Sequence, residues 1–256
     1  MTVLKSIETL GGTAAQPWVI TPAGDACLVV KFGEVLSTAS NRLAAQCAIQ
    51  LGEAVRSGEV VGVTDIVPAM ISIGVHYRPE LLDCGDDRCP FEVLMGQIEA
   101  VLRRASSGPV VEPRLVEIPV CYGGEHGPDL LEVADTLGLT PDALIALHSG
   151  EPVDVLMLGF APGHPYIGVL DERLSPPRRA TPRTRVAEGS IGLANRQSVI
   201  YPLELPGGWN LIGRTPLTLF DAERPEPCLL RSGDRIRFVP VDAQTFDALE
   251  RQERAS

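Results

Sequence analysis

The chain has 256 residues, of which 33 are acidic and 22 basic, and it carries a formal charge of −11 with 45% apolar residues. An acidic balance argues against a nucleic-acid partner or an anionic membrane, since both require a basic face. No apolar run is long enough to span a membrane, and residues 1–16 lack the apolar core of a signal peptide. We therefore expect a cytoplasmic protein.

The basic residues are unevenly divided between arginine and lysine. Arginine supplies 20 of the 22, and the two lysines, Lys5 and Lys31, lie near the N-terminus. Neither lysine follows the glycine-rich run of a phosphate-binding P-loop, and neither stands in a Met-Lys-Met segment that could carry biotin. Any ATP or biotin chemistry therefore requires another motif or another chain, and no biotin is expected on this one.

Six cysteines are spread along a chain that is long enough to fold without disulfides. In a reducing compartment they are expected to be small buried apolar residues. Cys84 and Cys89 have no second pair of cysteines or histidines at ligand spacing, so no metal site is predicted.

Apolar spacing predicts six elements in the N-terminal half. These are strands at 26–32, 61–67, 69–77 and 114–120 and helices at 41–55 and 91–104. The order β-α-β-β-α-β is that of a ferredoxin-like α/β sandwich. The prediction is a flexible tail over 1–20 and a ferredoxin-like domain over 21–108, with its sixth element, a strand, near 114–120.

The C-terminal half begins with two predicted helices. Asp129 and Glu132 are spaced as a capping box, and Thr140 precedes a proline in the first helical turn. Short apolar runs then alternate with Gly- and Pro-rich turns, at 153–160, 186–193, 199–203, 217–220 and 235–239. Many short strands with dense turns predict a closed β-barrel or a sandwich over 121–243, followed by a C-terminal tail at 244–256. The expected class is α+β.

Residues 159–215 are unusually rich in glycine, proline and arginine, with four arginines in 178–185. Glycines let a backbone approach a ligand closely, and guanidinium groups bind carboxylates or phosphates in a bidentate manner. In a chain of charge −11, this cluster predicts a positive site for a small anionic substrate. The alternative is a solvated face paired to the nearby acids Asp171, Glu172 and Glu188.

Residue chemistry suggests roles within this stretch. His164 is a candidate acid or base, with Gln197 and Thr215 as hydrogen-bonding partners in the catalytic set. The predicted anion-binding and substrate-binding residues are Arg183, Arg185, Arg214, Gly163, Tyr201, Gly208 and Trp209. The Gly-Gly-Trp run is equally compatible with a turn that holds an aromatic plug, and His76, His126 and His148 carry no signal by themselves.

The ordered motifs of this stretch resemble the allophanate hydrolase subunit 1 family, which includes the B-type subunits of 5-oxoprolinase (PxpB) and the kinase inhibitor KipI. The segments that carry the resemblance are 159–163, 166–168, 180–183, 189–190, 201–202, 206–209 and 212–216. Many members have phenylalanine where this chain has His164.

The resemblance implies a ferredoxin-like N-terminal domain, a cyclophilin-like C-terminal barrel and membership of a complex. The implied partners are the C-type protein of 5-oxoprolinase, also known as allophanate hydrolase subunit 2, and the A-type protein. The implied activity is the ATP-dependent opening of 5-oxoproline to glutamate, with ATP contacts shared between the proteins of the complex. The alternatives are a KipI-like inhibitor that binds a sensor histidine kinase and a carboxyltransferase component of urea metabolism.

Overall fold

The computed structural model describes residues 16–85, 87–108 and 112–255, which form a mixed α+β architecture. The N-terminal part contains one antiparallel sheet in the strand order β1-β2-β4-β3. Its elements are β1 (Val19–Pro22), β2 (Cys27–Lys31), α1 (Thr38–Arg56), β3 (Val63–Pro68), β4 (Ser72–Tyr77) and α2 (Pro90–Ser107).

The N-terminal core follows from strand alternation combined with helical spacing. Leu28 and Val30 of β2 and Ile73 and Val75 of β4 are fully buried, because alternate residues of a strand face the same side of a sheet. The two helices contribute apolar residues to the same cluster, with Leu51 on α1 and Leu94, Ile98 and Val101 on α2. Ser37 caps α1 by accepting a hydrogen bond from the backbone of Ser40.

The strand predicted at 114–120 exists, but it lies in a different sheet. It is β5 (Leu115–Tyr122), which pairs with two strands of the C-terminal barrel. The fourth strand of the N-terminal sheet is β1, in a segment that the sequence predicted to be tail up to residue 20. The predicted ferredoxin-like strand order is therefore not confirmed. Residues 1–15 of the predicted tail lie outside the described ranges.

The C-terminal part is a closed seven-stranded barrel, in the order β10-β7-β6-β13-β5-β12-β9. The barrel strands after β5 are β6 (Val153–Leu158), β7 (Pro165–Gly168), β9 (Ser190–Ala194), β10 (Gln197–Ile200), β12 (Asn210–Arg214) and β13 (Arg235–Pro240). The β5–β13 pair is parallel. A separate two-stranded ribbon joins β8 (Arg183–Val186) to β11 (Leu205–Gly207). The run predicted as a strand at 217–220 forms only an isolated bridge between Phe220 and Cys228.

Three helices flank the barrel, namely α3 (Leu130–Thr136), α4 (Pro141–Ser149) and α5 (Ala243–Glu253). The predicted cap at Thr140 is confirmed, because its side chain accepts a hydrogen bond from the backbone of Ala143. The predicted capping box at Asp129 is wrong, since its side chain makes no capping hydrogen bond. The segment predicted as a C-terminal tail, 244–256, contains most of α5, which packs on β5 and buries Phe246.

Direct side-chain contacts join the N-terminal part to the barrel. Asn41 of α1 donates two hydrogen bonds, to the backbone oxygens of Met70 at 2.6 Å and Leu156 at 2.9 Å. Arg42, one residue along, pairs with the buried carboxylate of Asp154 on β6 at 3.0 Å. Within the described ranges, no helix combines the length and apolar character that a membrane crossing requires.

Candidate anion-binding site

Three of the predicted anion-binding residues line one pocket, which we call the arginine pocket. Arg183 and Arg185 lie on β8, where a spacing of two residues places both side chains on one face, and Arg214 ends β12. The pocket has a volume of about 230 Å³ and is lined by Glu125, His126, Pro128, Arg183, Arg185, Val186, Ala187, Ser190, Leu211 and Arg214. Strands from the ribbon and the barrel therefore bring the three arginines together.

Arg183 is held by Asp129, a buried carboxylate that sequence reasoning did not assign to the site. Asp129 Oδ1 accepts a hydrogen bond from Arg183 Nη2 at 2.7 Å and another from Arg179 Nη1 at 3.1 Å. Its other oxygen accepts from the backbone N–H of Leu211 at 2.7 Å. Arg183 Nη1 is also buried, and it has no hydrogen-bond partner among the described residues. One donor of the guanidinium fork is thus fixed, while another is unused.

Arg185 is the most exposed of the three arginines. It forms a bidentate pair with Glu204, with nitrogen–oxygen distances of 2.8 and 2.9 Å. The hydrogen bond between them raises the pKa of Arg185 and lowers the pKa of Glu204. Because both groups are exposed, solvent screens this pair strongly. The pair reduces the positive charge that Arg185 offers to a ligand.

Arg214 is positioned by the C-terminal helix. Its Nε donates to the backbone oxygen of Glu188 at 2.7 Å, and its guanidinium lies 3.4 Å from Glu250 on α5. The guanidinium carbon also lies 5.6 Å from the centre of the Phe246 ring, within the range of a cation–π contact. His126 packs against the same ring, at 4.3 Å between ring centres. Phe246 therefore supports two residues of the arginine pocket.

His164, Tyr201 and Trp209 do not line the arginine pocket, and with Tyr166 on β7 they form an adjoining aromatic cluster. The His164 ring is buried and lies 5.4 Å from Tyr201 and 5.2 Å from Tyr166. Burial lowers the pKa of His164 to about 4 and raises the pKa of Tyr201 to about 12. Neither ring nitrogen of His164 has a hydrogen-bond partner in the part of the chain that the structure describes. His164 is therefore neutral at pH 7.

Of the two glycines predicted to bind substrate, local packing requires Gly163 but not Gly208. Gly163 has a φ of +72°, and a Cβ there would lie 2.7 Å from the Cβ of Phe220. A side chain at Gly208 would instead make ordinary contacts with Pro182, at 3.6 Å. The guanidinium carbon of Arg178 lies 4.5 Å from the centre of the Trp209 ring. The buried tryptophan of the Gly-Gly-Trp segment therefore makes a cation–π contact with an arginine.

Gln197 and Thr215, the predicted partners of His164, lie apart from it. The amide of Gln197 approaches the sulfur of Met70 at 3.5 Å, toward the N-terminal part. Thr215 is buried beyond the end of β12, and its hydroxyl oxygen accepts a long hydrogen bond from Leu217. No hydrogen bond among the described residues joins His164, Gln197 and Thr215, and none of them lines the arginine pocket.

The alternative hypothesis was that the arginines of 178–185 pair with the nearby acids Asp171, Glu172 and Glu188. The ion pairs of the structure differ from it. Asp171 pairs with Arg173 at 2.9 Å, and Glu188 contributes only a backbone oxygen, to Arg214. The acids that pair with the β8 arginines are Asp129 and Glu204, which are distant in sequence. The spacing of Asp129 and Glu132 predicted only a helix-capping role for Asp129, and no sequence pattern linked it to Arg183.

His148 of α4, to which the sequence assigned no role, joins β5 and β10 through a series of buried hydrogen bonds. Taking the hydrogen on Nε2, its Nδ1 accepts from the Tyr122 hydroxyl at 2.7 Å and its Nε2 donates to Ser198 Oγ at 3.1 Å. Ser198 in turn donates to the backbone oxygen of Gly192 at 2.9 Å. Burial lowers the pKa of His148 to about 3. The side-chain polar atoms of Tyr122, His148 and Ser198 all have hydrogen-bond partners, which is typical of a structural network.

A metal centre finds no support in the described ranges, where no three His, Cys, Asp or Glu side chains come together as a cation site requires. Cys84 is half-buried and Cys89 exposed, and both are free thiols.

Comparison with known proteins places these features in a family. Residues 18–230 match the family described as carboxyltransferase domain, subdomain C and D. The chain is 37% identical over 237 residues to the B-type subunit of 5-oxoprolinase from Bacillus subtilis (strain 168), covering 91% of this chain and 97% of that protein.

Two solved structures show related architecture. The crystal structure of TTHA0988 is 36% identical with a TM-score of 0.68, and the match covers 85% of this chain and 40% of that one. This chain therefore spans about two fifths of that protein. Kluyveromyces lactis urea carboxylase is 17% identical with a TM-score of 0.68, and the match covers 94% of this chain and 23% of that one, which shows a shared fold.

Proposed function

Because the chain belongs to the family of the carboxyltransferase domain, subdomain C and D, we propose that it is the B-type subunit of an ATP-dependent 5-oxoprolinase. The proposed complex opens 5-oxo-L-proline to L-glutamate, and this chain is expected to be inactive alone. The name of the Bacillus subtilis relative, matched over nearly its full length, supports the assignment. Its proposed partners are the A-type and C-type proteins of the 5-oxoprolinase complex.

The convergence of three arginines on one small pocket carries the proposal. The substrate is a small cyclic amide with one carboxylate, and a guanidinium fork is well suited to bind that group. Arg183 is the best placed of the three, because Asp129 holds one of its nitrogens and leaves Nη1 unpartnered among the described residues. We therefore propose that Arg183 binds the substrate carboxylate, with Arg214 and Arg185 at the sides.

The charge around the pocket favours a monoanion over a nucleotide. Glu125 lines the pocket, and Asp129, Glu204 and Glu250 each lie beside one of its arginines. They balance the four positive charges of the three pocket arginines and neighbouring Arg179, so the site has no surplus positive charge for a polyanion. A volume of about 230 Å³ is also below the usual range of about 300–1,000 Å³ for drug-sized ligands. We propose that the partner proteins supply most of the ATP contacts.

Within the pocket, the residues of this chain bind and orient the lactam. ATP, when bound in the complex, supplies the phosphoryl group that activates the stable amide. Half-buried His126 lines the same pocket, and its ring packs on Phe246. We propose that its ring donates the proton that the lactam nitrogen takes up when the ring C–N bond breaks. We assign no such role to His164, Gln197 and Thr215, which lie outside the pocket.

The sequence resemblance also leads to proposals about architecture and location. We propose that the N-terminal unit, over 21–108, is a ferredoxin-like variant in which β1 takes the place of the strand predicted at 114–120. The strand order β1-β2-β4-β3 with two packed helices supports this. The barrel over 121–243 is proposed to be cyclophilin-like. An ATP-dependent reaction is consistent with a cytoplasmic location.

The test is a complex of this chain reconstituted with its A-type and C-type partners and assayed for ATP hydrolysis and glutamate release. We expect 5-oxoproline to accelerate ATP hydrolysis. Hydrogen bonds to charged groups contribute about 1.5–3 kcal/mol, so Arg183→Ala should raise KM for 5-oxoproline by about 10-fold to 150-fold. The matched control is Arg173→Ala, since Arg173 pairs with Asp171 outside the pocket.

Two outcomes would contradict the proposal. One is a complex whose ATP consumption does not respond to 5-oxoproline. The other is an unchanged KM in Arg183→Ala, which would remove the pocket as the substrate site.

A further inference from the structure

We propose that Asp129 is a positioning residue, which fixes the guanidinium of Arg183 so that its unused nitrogen is presented to the substrate carboxylate. This inference rests on the proposed function of the arginine pocket. Neither the helix-capping pattern nor the arginine cluster of the sequence assigned Asp129 such a role.

The geometry around Asp129 links three elements of the site. The residue precedes α3, receives Arg183 from β8 and accepts a hydrogen bond from the backbone of Leu211 on β12. Its side chain is only 5% exposed. Because both carboxylate oxygens are used, Asp129 has little rotational freedom, and Arg183 is anchored to the barrel wall through it.

The division of the Arg183 donors supports a positioning role. Arg183 lines the pocket; Asp129 takes its Nη2, while its Nη1 is buried and has no hydrogen-bond partner in the described ranges. The bidentate pair of Arg185 with Glu204 uses Nε and Nη2, whereas Arg183 meets Asp129 through Nη2 alone. The single contact instead restrains the guanidinium and leaves a donor for a ligand.

Charge compensation supports the same role. Arg179 and Arg183 share Asp129 Oδ1, so two cations lie close together around one buried carboxylate. Without that negative charge the two guanidinium groups would repel each other, and Arg183 would lose its fixed orientation. Helix capping does not account for the residue, since the Asp129 side chain makes no capping hydrogen bond.

The experiment uses Asp129→Asn in the reconstituted complex, since asparagine keeps the shape and removes the charge. We expect KM for 5-oxoproline to rise about 10-fold while kcat changes less than twofold. The double variant Asp129→Asn with Arg183→Ala should show no further rise beyond Arg183→Ala, because the two residues act through one contact.

The matched control is Asp234→Asn. Asp234 is also buried, and it likewise binds an arginine, Arg114, and a backbone N–H, that of Arg231. It does not line the arginine pocket. A purely structural role for Asp129 predicts that both variants lower the melting temperature without a specific rise in KM.

The outcomes separate this inference from the proposed function. If Arg183→Ala leaves KM unchanged, the pocket is not the substrate site and both proposals fail. If Arg183→Ala raises KM but Asp129→Asn changes it no more than Asp234→Asn does, only the positioning role is overturned. Should Asp129→Asn not fold, Asp129→Glu replaces it, since the longer side chain keeps the charge but displaces the carboxylate. The same rise in KM is then expected, and an unchanged KM overturns the role.

Discussion

Two buried histidines should make the stability of the barrel strongly pH-dependent. Burial lowers the pKa of His148 from 6.5 to about 3 and the pKa of His164 from 6.5 to about 4. As the pH falls below 6.5, the unfolded chain binds protons at both residues while the folded barrel does not. Stability is therefore fully present above pH 6.5 and is lost as the pH falls toward 4 and 3.

The size of the effect follows from about 1.36 kcal/mol per unit of pKa difference. At pH 5, which is about 1.5 units below the unfolded pKa, each histidine costs the folded state about 2 kcal/mol. The rings are 0% and 1% exposed, so solvent screening reduces these values little. Together they remove about 4 kcal/mol, a large share of the usual stability of about 5–15 kcal/mol.

The assay is urea unfolding at pH 7.5 and pH 5, followed by the fluorescence of Trp209. The chain has two tryptophans. Trp18→Phe therefore leaves a single reporter, within the barrel part of the chain. The variant His148→Gln should lose about 2 kcal/mol less than the parent between the two pH values. Exposed His76 provides the control, His76→Gln, which should match the parent. Equal losses in His148→Gln and the parent would refute the reasoning.

Three further predictions concern packing. Gly163→Ala should lower the free energy of unfolding by more than about 1 kcal/mol in urea titrations, because φ is +72° and the new Cβ would clash with Phe220. Gly24→Ala, with a similar φ in open space, should cost less; an equal cost would contradict the clash. Asn41→Ala should cost about 1–3 kcal/mol in the same titration, since two backbone oxygens lose their donor. Exposed Gln50→Ala serves as its control, and a cost no larger than that of Gln50→Ala would contradict the argument. Phe246→Ala should cost about 3–5 kcal/mol and also raise KM in the reconstituted complex, because Arg214 and His126 lose their support. Leu131→Ala, at a side chain that is 70% exposed, should do neither; an unchanged KM in Phe246→Ala would contradict the supporting role of the ring.

Local patterns in the sequence predicted many individual elements. Helical spacing located α1 and α2, and the Thr140 cap and the following proline located the start of α4. The arginine cluster was equally local, because its four arginines fall within residues 178–185. These features depend on neighbours within a few residues, so they can be recognised without the tertiary fold.

Partnerships between distant segments required the tertiary structure. The strand β5 was predicted from its own residues, but its pairing with β13 and β12 depends on segments about a hundred residues away. The predicted strand at 217–220 failed for the same reason, since a strand forms only where a partner strand is available. Short strands such as β7 and β12 lie in Gly- and Pro-rich sequence and are held by the barrel around them.

The sequence alone therefore determined the fold class, the arginine cluster and the family resemblance. The tertiary structure decided which arginines share a pocket and which acids hold them. Asp129 reaches Arg183 across 54 residues, and Phe246 reaches Arg214 from a helix that was predicted to be a tail. It also placed His164 in an aromatic cluster and not among the residues that line that pocket. The reason is that side-chain type is encoded locally, whereas a binding site is a set of distances between segments that only folding brings together.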